Sequence, residues 1–579
     1  MTTAQQAPAA RNRTDWAGIG WLFLFFWYFS GVTQGLILMT GTTGFEGFRQ
    51  AFLLSALWLI PVLLFPSRTR AISAVLGVIL FLCSLGSFGY FLIYKQEFSQ
   101  SVIFIMFESN NAEAGEYLGQ YFAWWMVPAF LAYAAVAVFL WTRLRPVYIS
   151  KTKALVVSLA LFLSLLVWPL VKQVKRQQDF DAGMEKFQDR LEPAVPWQLV
   201  IGYSNYLKQL DGMQEMMAQG AKILPLKNMK DTMAGQPSTL VLVIGESTNR
   251  GHMSLYGYGR DTNPNLEKMR DQLDIFNNVV TPRPYTIEAL QQVLTFADEE
   301  HPDLFLKTPS IVSMMKQAGY KTFWITNQQT LTKRNTMLTT FSEQADEQSY
   351  LNNNRNQNAR QYDGDVIEPF AKALTDSAPR KLIVIHLLGT HVAYQYRFPP
   401  EYAKFSDTQG APQGFTGEKL QTYNDYDNAV LYNDYVISSL IKTYSATDPN
   451  GFLLYLSDHG EDVYDSGDHT TLGRNEGAPT APMYTIPFMT WASPKWRNDH
   501  AWAFAGDVNR PYSSANLIHT FADMAGLSFD ELDPSKSLIN AKFSEHTRWI
   551  GDPYKSNGLI DFATIEDKKV SGDKAVVKQ

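Results

Sequence analysis

Three carboxylates and four histidines stand where short apolar runs of this sequence stop. The run Thr239-Leu-Val-Leu-Val-Ile244 leads into Gly245-Glu246-Ser247-Thr248-Asn249-Arg250. Lys381-Leu-Ile-Val-Ile385 leads into His386-Leu-Leu-Gly-Thr-His391, and Phe452-Leu-Leu-Tyr-Leu456 into Ser457-Asp458-His459-Gly460-Glu461, with His469 ten residues beyond His459. A lone histidine is more often structural than functional, but four at the ends of two such runs point to a shared site. Asp458 and His459 are neighbours whose side chains converge only if the chain leaves the strand there, which Gly460 permits. Carboxylates with imidazole form a mixed oxygen and nitrogen donor set, suited to zinc, less so to calcium or magnesium, with manganese an alternative. Such a cation with few protein ligands lowers the pKa of an oxygen nucleophile and offsets charge on a phosphoryl or sulfuryl group. Thr248, Thr281, Thr286, Thr390 and Ser457 are the hydroxyls on loops that could supply that oxygen. The turn after Ile244 also reads as a plain helix start capped by Ser247 or Thr248. It falls one glycine short of the G-x-S-x-G elbow, because Asn249 takes the fifth place, and this argues against Ser247 as a nucleophile.

These residues must be positioned by strands. The three runs, with Lys321-Thr-Phe-Trp-Ile325 and Ile486-Pro-Phe-Met-Thr490, have the length and β-branched or aromatic content of buried strands. Helical patterns such as Pro309–Ala318 and Tyr426–Tyr444 alternate with them, so the spacing predicts a mostly parallel sheet covered by helices on both faces. Ligands of such sheets collect beyond the carboxyl ends of the strands.

The other half of the chain is of different character. Of 579 residues, the first 171 carry long uncharged apolar runs and all nine histidines come after residue 251. Membrane spans are expected at Ile19–Met39, Ala51–Phe65, Ala71–Tyr94, Tyr121–Trp141 and Ala154–Val171, the second being short with Pro61 near its end. The first lacks a small-residue cleavage site, so it reads as an anchor. Arg11 and Arg13, Arg68 and Arg70, and Arg143, Arg145, Lys151 and Lys153 mark cytoplasmic ends, and five spans then put everything after Val171 on the opposite side. Lys172, Lys175 and Arg176 oppose that orientation, but long exported domains translocate largely regardless of such charges. Boundaries follow at 1–171 for the membrane domain, 172–235 for a connector with membrane-proximal helices, and 236–579 for the catalytic domain. The net charge of −6 lacks the basic footprint of a nucleic-acid binder. The single cysteine, Cys83, lies in a span, so the soluble half has no disulfide.

With these spans, the Gly-Glu-Ser-Thr-Asn-Arg turn, Leu255-Tyr-Gly-Tyr-Gly-Arg-Asp-Thr-Asn-Pro264, the two histidines five apart and Ser-Asp-His-Gly-Glu461, the sequence resembles the membrane phosphoethanolamine transferases of the alkaline-phosphatase and sulfatase superfamily. The resemblance covers nearly the whole chain. It implies a five-span α-helical membrane domain and an α/β alkaline-phosphatase/sulfatase-like domain, in the inner membrane and periplasm of a Gram-negative bacterium. It implies transfer of phosphoethanolamine from phosphatidylethanolamine to a phosphate of lipopolysaccharide, with the core heptose expected and lipid A or Kdo as alternatives. By its spacing to Glu246, Thr286 takes the family's nucleophile place, and Glu246, Thr286, Asp458 and His459 match its zinc ligands. His391 and His469 match histidines that contact the phosphoryl group or a second zinc. Asn327 and Lys333 fall near substrate-contacting positions, with His386 a third substrate candidate. Many relatives carry Cys-Gly-Thr in a disulfide-braced loop where this chain has Pro284-Tyr285-Thr286. A phosphoglycerol transferase could use the same scaffold, whereas a sulfatase would need cysteine or serine in place of Thr286.

The orientation is testable by labelling. In a Cys83→Ser background, a cysteine replacing Ser67 is expected to resist a membrane-impermeant maleimide in spheroplasts, and one replacing Asn228 to react. The opposite pattern overturns the topology.

Overall fold

The computed structural model describes residues 15–40, 45–94, 98, 122–177, 180–218, 223–328, 336–351, 362–467, 469–500, 504, 506–555 and 558–566. These form two compact units, one within the first 206 residues and one from Leu207 onward.

Among the described residues of the first unit, four helices are long and apolar enough to cross a bilayer: α1 (Trp16–Thr40), α2 (Phe45–Leu64), α3 (Pro66–Ile93) and α5 (Lys151–Arg176). Between the last two lies α4 (Met126–Thr142), apolar but of 17 residues, the short end of the spanning range. The five apolar helices fall on the five stretches expected from hydropathy. Two tyrosines of this unit find partners, as a low-dielectric setting favours. Tyr133 of α4 donates to Ser84 Oγ of α3 at 2.8 Å and Tyr28 of α1 to the Tyr133 carbonyl at 2.8 Å.

The second unit is built on a seven-stranded sheet: β1 (Ser238–Gly245), β2 (Leu273–Ile275), β3 (Lys321–Thr326), β4 (Glu347–Tyr350), β5 (Arg380–His386), β6 (Phe452–Ser457) and β7 (Phe488–Ala492), in the order β2-β7-β6-β1-β5-β3-β4. Strands β6, β1, β5, β3 and β4 are mutually parallel, whereas β7 runs antiparallel to both β6 and the edge strand β2. The four inner parallel-strand expectations hold within a residue or two at each end. The run at Ile486 is corrected: Pro487 has no N–H for a ladder, so β7 starts at Phe488, and it is antiparallel. Edge strands β2 and β4 escape sequence reading because they are short and only partly buried.

Alternate residues of β1 enter opposite cores, as the two-residue period of a strand dictates. Leu240, Leu242 and Ile244 join α6 (Thr286–Val293), α7 (Ile311–Gln317) and α10 (Leu517–Met524) in one core. Val241 and Val243 join α8 (Ile367–Leu374) and the 29-residue α9 (Gly417–Ser445) in the other. Covered on both faces, the sheet leaves its carboxyl edge as the place where polar side chains can gather.

The turn after β1 is tied to α9. Tyr426 donates to the Ser247 carbonyl at 2.7 Å and accepts from Asn249 N–H at 2.8 Å. The helical turn that follows is capped by Asn249, which accepts from Gly251 N–H, in place of the expected Ser247 or Thr248 cap. Ser247 instead adopts φ +57° and donates to Glu246 Oε1 at 2.7 Å. Further along the turn, buried His252 lies between Asp427 of α9 at 2.6 Å and Asp465 at 3.0 Å, and Arg260 meets the same Asp427 at 2.7 Å. Burial opposes a charge on His252, but the two carboxylates outweigh it and push its pKa up to about 10.

Because the folded value lies above that of a free imidazole, the stabilisation is complete below about pH 6.5 and is lost as pH rises toward 10. Thermal unfolding of the full chain in detergent is expected to show wild type losing on the order of 3 kcal/mol between pH 7 and 10 relative to His252→Gln. Parallel pH profiles for the two proteins would contradict it.

Candidate metal centre

Glu246, at the end of β1, and Asp458 and His459, after neighbouring β6, are buried and present ligand atoms that all lie within 4.8 Å of one another. Their meeting follows from register, since Gly245 pairs with Ser457 and the next residues emerge side by side. His459 Nε2 stands 3.2 Å from Glu246 Oε1 and 3.4 Å from Asp458 Oδ2. Two backbone N–H groups, of Ser247 and of His459 itself, donate to Asp458 Oδ1 at 3.2 and 2.7 Å.

Two close backbone approaches explain the glycines of these loops. Gly389 has φ +54°, and a Cβ there would stand 2.6 Å from the Glu246 carbonyl oxygen. A Cβ on Gly460 would come within 2.1 Å of the Pro482 carbonyl. Gly460 is therefore required by space, and the left-handed conformational freedom expected of it is not used.

Thr286 joins the centre from the first position of α6. Its Oγ1 donates to Glu246 Oε2 at 2.8 Å and lies 3.2 Å from His459 Nε2. Of the five hydroxyls the sequence left open, Thr286 makes both contacts. Thr281 donates to the Asp458 carbonyl at 2.6 Å, Ser457 to the His459 carbonyl at 2.8 Å, and Thr390 to the Glu246 carbonyl at 3.0 Å. Thr248 Oγ1 faces that same carbonyl at 3.3 Å. These four brace the backbone of the centre, while Thr286 is aimed into it. The positive end of α6 also favours negative charge beside Thr286.

Electrostatics suit a cation. Burial disfavours charge on Glu246, but His459 beside it prevails and holds it well below the usual carboxylate range. Burial, with the Glu246 charge, drives Asp458 well above. Burial and the Arg474 charge lower the pKa of His459. His459 Nδ1 faces the Gly460 carbonyl at 2.9 Å and takes the donor role there, which leaves the Nε2 lone pair toward the centre. Asp458 Oδ2 has no hydrogen-bond partner among the described residues. Two carboxylates, one imidazole nitrogen and a hydroxyl at this spacing fit a zinc ion.

The remaining expected residues sit as follows. His391 is near enough to feel the Glu246 charge, and burial depresses it to about 3. His386, last residue of β5, is depressed by burial to about 4 and lies edge-on to Trp324. Asn327 is buried and donates to Asp363 Oδ1 at 2.8 Å, while Asp363 also receives the N–H groups of Leu388 and Gly389. His469, at φ +53°, bonds the Tyr464 carbonyl through Nδ1 at 2.6 Å and lies against Phe415. Among the described residues it does not contact the four centre residues. Lys333 lies outside the described residues.

Sequence reasoning missed two neighbours of the centre. Gln328 places Nε2 3.4 Å from Glu246 Oε2 and donates to the Leu387 carbonyl at 2.8 Å. Arg474 Nη1 lies 2.6 Å from His459 Nε2. It also missed what holds the Thr286 loop without a disulfide. Buried Arg283 forms a two-pronged pair with buried Glu476, at 2.5 and 3.0 Å, and Asp552 stands 3.8 Å away. The Pro282 carbonyl accepts from Gly551 N–H at 3.1 Å, and the Tyr285 hydroxyl accepts from Glu476 N–H at 3.4 Å. A buried ion pair thus ties the Thr286 loop to the segment that carries Glu476. No local pattern announces it, because the partners are 193 residues apart.

The sulfatase family model matches residues 238–527, which begins at β1 and contains every residue of the centre. Over 569 residues the chain is 53% identical to phosphoethanolamine transferase CptA of Salmonella typhimurium strain LT2, covering 97% of this chain and 98% of that one. It belongs to the phosphoethanolamine transferases. A crystal structure of the C-terminal periplasmic domain of EptC from Escherichia coli, a complex with zinc, is 59% identical and matches 59% of this chain and 97% of that domain, at a TM-score of 0.58. The fold of the whole chain is also that of the integral membrane lipooligosaccharide phosphoethanolamine transferase EptA from Neisseria meningitidis. That structure is 18% identical and matches 91% of this chain and 98% of its own, at a TM-score of 0.63.

Removing one partner of a buried ion pair leaves an uncompensated charge, at about 3–5 kcal/mol. Glu476→Ala is expected to lower the unfolding temperature of the full chain and to reduce transfer more than it reduces zinc content, since the Thr286 loop loosens while Glu246, Asp458 and His459 remain. Wild-type stability in that variant would show that the pair does not hold the loop.

Proposed function

We propose that this chain moves phosphoethanolamine from phosphatidylethanolamine to a phosphate of lipopolysaccharide, that of the core heptose, through a covalent ester on Thr286. The observation that carries this is the Thr286 hydroxyl, 2.8 Å from a carboxylate and 3.2 Å from an imidazole nitrogen at the start of a helix. The 53% identity to a phosphoethanolamine transferase supports the choice of group transferred.

In this reading Glu246, Thr286, Asp458 and His459 hold zinc, which lowers the pKa of an adjacent oxygen and offsets phosphoryl charge. Glu246 Oε2 receives the Thr286 proton along their hydrogen bond. Thr286 Oγ1 attacks the donor phosphorus, a new P–O bond forms, and the bond to diacylglycerol breaks. The proton lost by Thr286 passes by way of the His391 ring, which accepts a proton at one nitrogen and releases one from the other, to the departing glycerol oxygen. An oxygen of the acceptor phosphate then attacks the same phosphorus, a diphosphate link forms as the P–O bond to Thr286 breaks, and the proton released by the acceptor phosphate returns Thr286 to its hydroxyl. His469 braces the loop of Tyr464 in this scheme. His386 and Asn327 set the substrate wall from β5 and the end of β3, and Lys333 adds a positive charge to it.

The apolar helices suit donor and acceptor that both reside in a lipid leaflet. We assign residues 1–171 to the inner membrane, 172–235 to a connector and 236–579 to the periplasm, the side that positive charge at 68–70 and 143–153 implies for the second unit.

Two measurements test the reading. Core oligosaccharide from cells with the protein should gain phosphoethanolamine on heptose phosphate by mass spectrometry; an unchanged profile, or a gain on lipid A alone, overturns the acceptor. Thr286→Ala should carry no phosphoethanolamine adduct in intact-mass spectra after incubation with phosphatidylethanolamine, and an adduct on that variant would place the nucleophile elsewhere.

A further inference from the structure

Arg474 follows a two-residue strand, Leu472–Gly473, that pairs antiparallel with Asp462–Val463 just beyond the metal-site loop. That short ladder fixes the arginine against the centre. Its Nε lies 3.2 Å from Glu461 Oε2, and the other oxygen of Glu461 accepts from the Tyr394 hydroxyl at 3.1 Å. Its Nη1 reaches past Glu461 to within 2.6 Å of His459 Nε2 and 3.8 Å of Glu246 Oε1. The guanidinium also lies over Tyr285, the residue before Thr286, with 6.0 Å to the ring centroid.

A purely structural role would end at Glu461. That carboxylate accounts for Nε but not for an Nη1 turned onto the nitrogen that faces the metal position. Among the described residues, no other lysine or arginine makes an ion pair with Glu246 or Asp458. A guanidinium has five donors, no acceptor and no neutral form at ordinary pH. Once His459 Nε2 is occupied by a cation, Nη1 cannot keep donating to it, yet Nε stays bound to Glu461. The Nη groups are then available to a ligand that arrives from solvent, since the arginine side chain is 17% exposed while those of Glu246 and His459 are 1% and 0% exposed. Thr286 Oγ1 lies 3.2 Å from the same His459 nitrogen. A phosphorus atom about 3 Å from that hydroxyl, the distance of a reacting pair, carries oxygens within reach of a guanidinium.

We propose that Arg474 is a catalytic residue of the transfer, its guanidinium binding a non-bridging oxygen of the phosphoethanolamine phosphoryl group beside Thr286. The inference rests on the reading given under Proposed function and adds the missing charge to it. The centre offers two carboxylates and an attacking oxygen to a substrate that is itself an anion. A permanently charged donor on the open side offsets the negative charge that builds on the phosphoryl oxygens. Glu461 is a positioning residue for that donor.

The test uses the full zinc-loaded chain in detergent, as wild type, Arg474→Gln and Arg474→Lys. Bound zinc is measured by elemental analysis, inorganic phosphate affinity by titration calorimetry, and the Thr286 adduct by rapid-quench mass spectrometry. Arg474→Gln should keep its zinc, bind phosphate at least about tenfold more weakly, and form the adduct about 10²–10³-fold more slowly, the effect of losing one donor to developing charge. Arg474→Lys should recover part of the phosphate affinity because the charge returns without the fork. Unchanged phosphate affinity and rate in Arg474→Gln overturn the inference. So does zinc loss that accounts for the slower rate, since Arg474 would then serve the metal site alone. If wild type forms no adduct while phosphate affinity still depends on Arg474, the transfer reading fails and the anion site stands.

Discussion

Two carboxylates brought together in a buried place, at the end of adjacent parallel strands, are the constraint on which this structure turns. Glu246 and Asp458 are both fully buried, and the charge on Glu246 opposes a second charge on Asp458. Such an arrangement is costly unless cations face it, and everything around it supplies or orients positive charge. The Arg474 guanidinium stands against it, α6 begins at Thr286 beside it, and the donor set suits a divalent cation. The resulting site spends stability to keep a place where negative charge on phosphorus is welcome.

That cost is met by a scaffold that leaves the strand ends little freedom. The backbone at Glu246 is gripped by Thr390, the close passage of Gly389 and the Tyr426 hydroxyl of α9. The Thr286 loop is gripped by Thr281 on the Asp458 carbonyl and by the Arg283–Glu476 pair. A disulfide resists unfolding through the unfolded chain, whereas a buried ion pair acts in the folded state and depends on exact partners.

The membrane unit solves a separate problem with separate means. Its helices are apolar enough to face lipid, and two of the polar side chains inside, Ser84 and Tyr133, bond one another. Its contribution to chemistry is dimensional: it confines an enzyme of lipids to the surface where lipids are found.

By itself, the sequence determined the two-part plan, the inner strands of the sheet and the residue types at their carboxyl ends. Those features are local, since hydropathy and two-residue alternation report burial over a few neighbouring positions. It also presented Glu246, Asp458 and His459 as one donor set, because adjacent parallel strands deliver the residues at their ends to one place. Tertiary structure decided the rest. It set the Thr286 hydroxyl, and not those of Thr248, Thr281, Thr390 or Ser457, against the Glu246 carboxylate and His459, turned His469 toward Tyr464, gave Gly460 a steric reason, and brought Arg474 onto His459. Each of these depends on where a loop side chain points after a long detour of chain. Thr286 meets Glu246 across 40 residues and His459 across 173. No spacing rule encodes such contacts, because they are set by the packing of the two cores that hold the loops and not by the loops themselves.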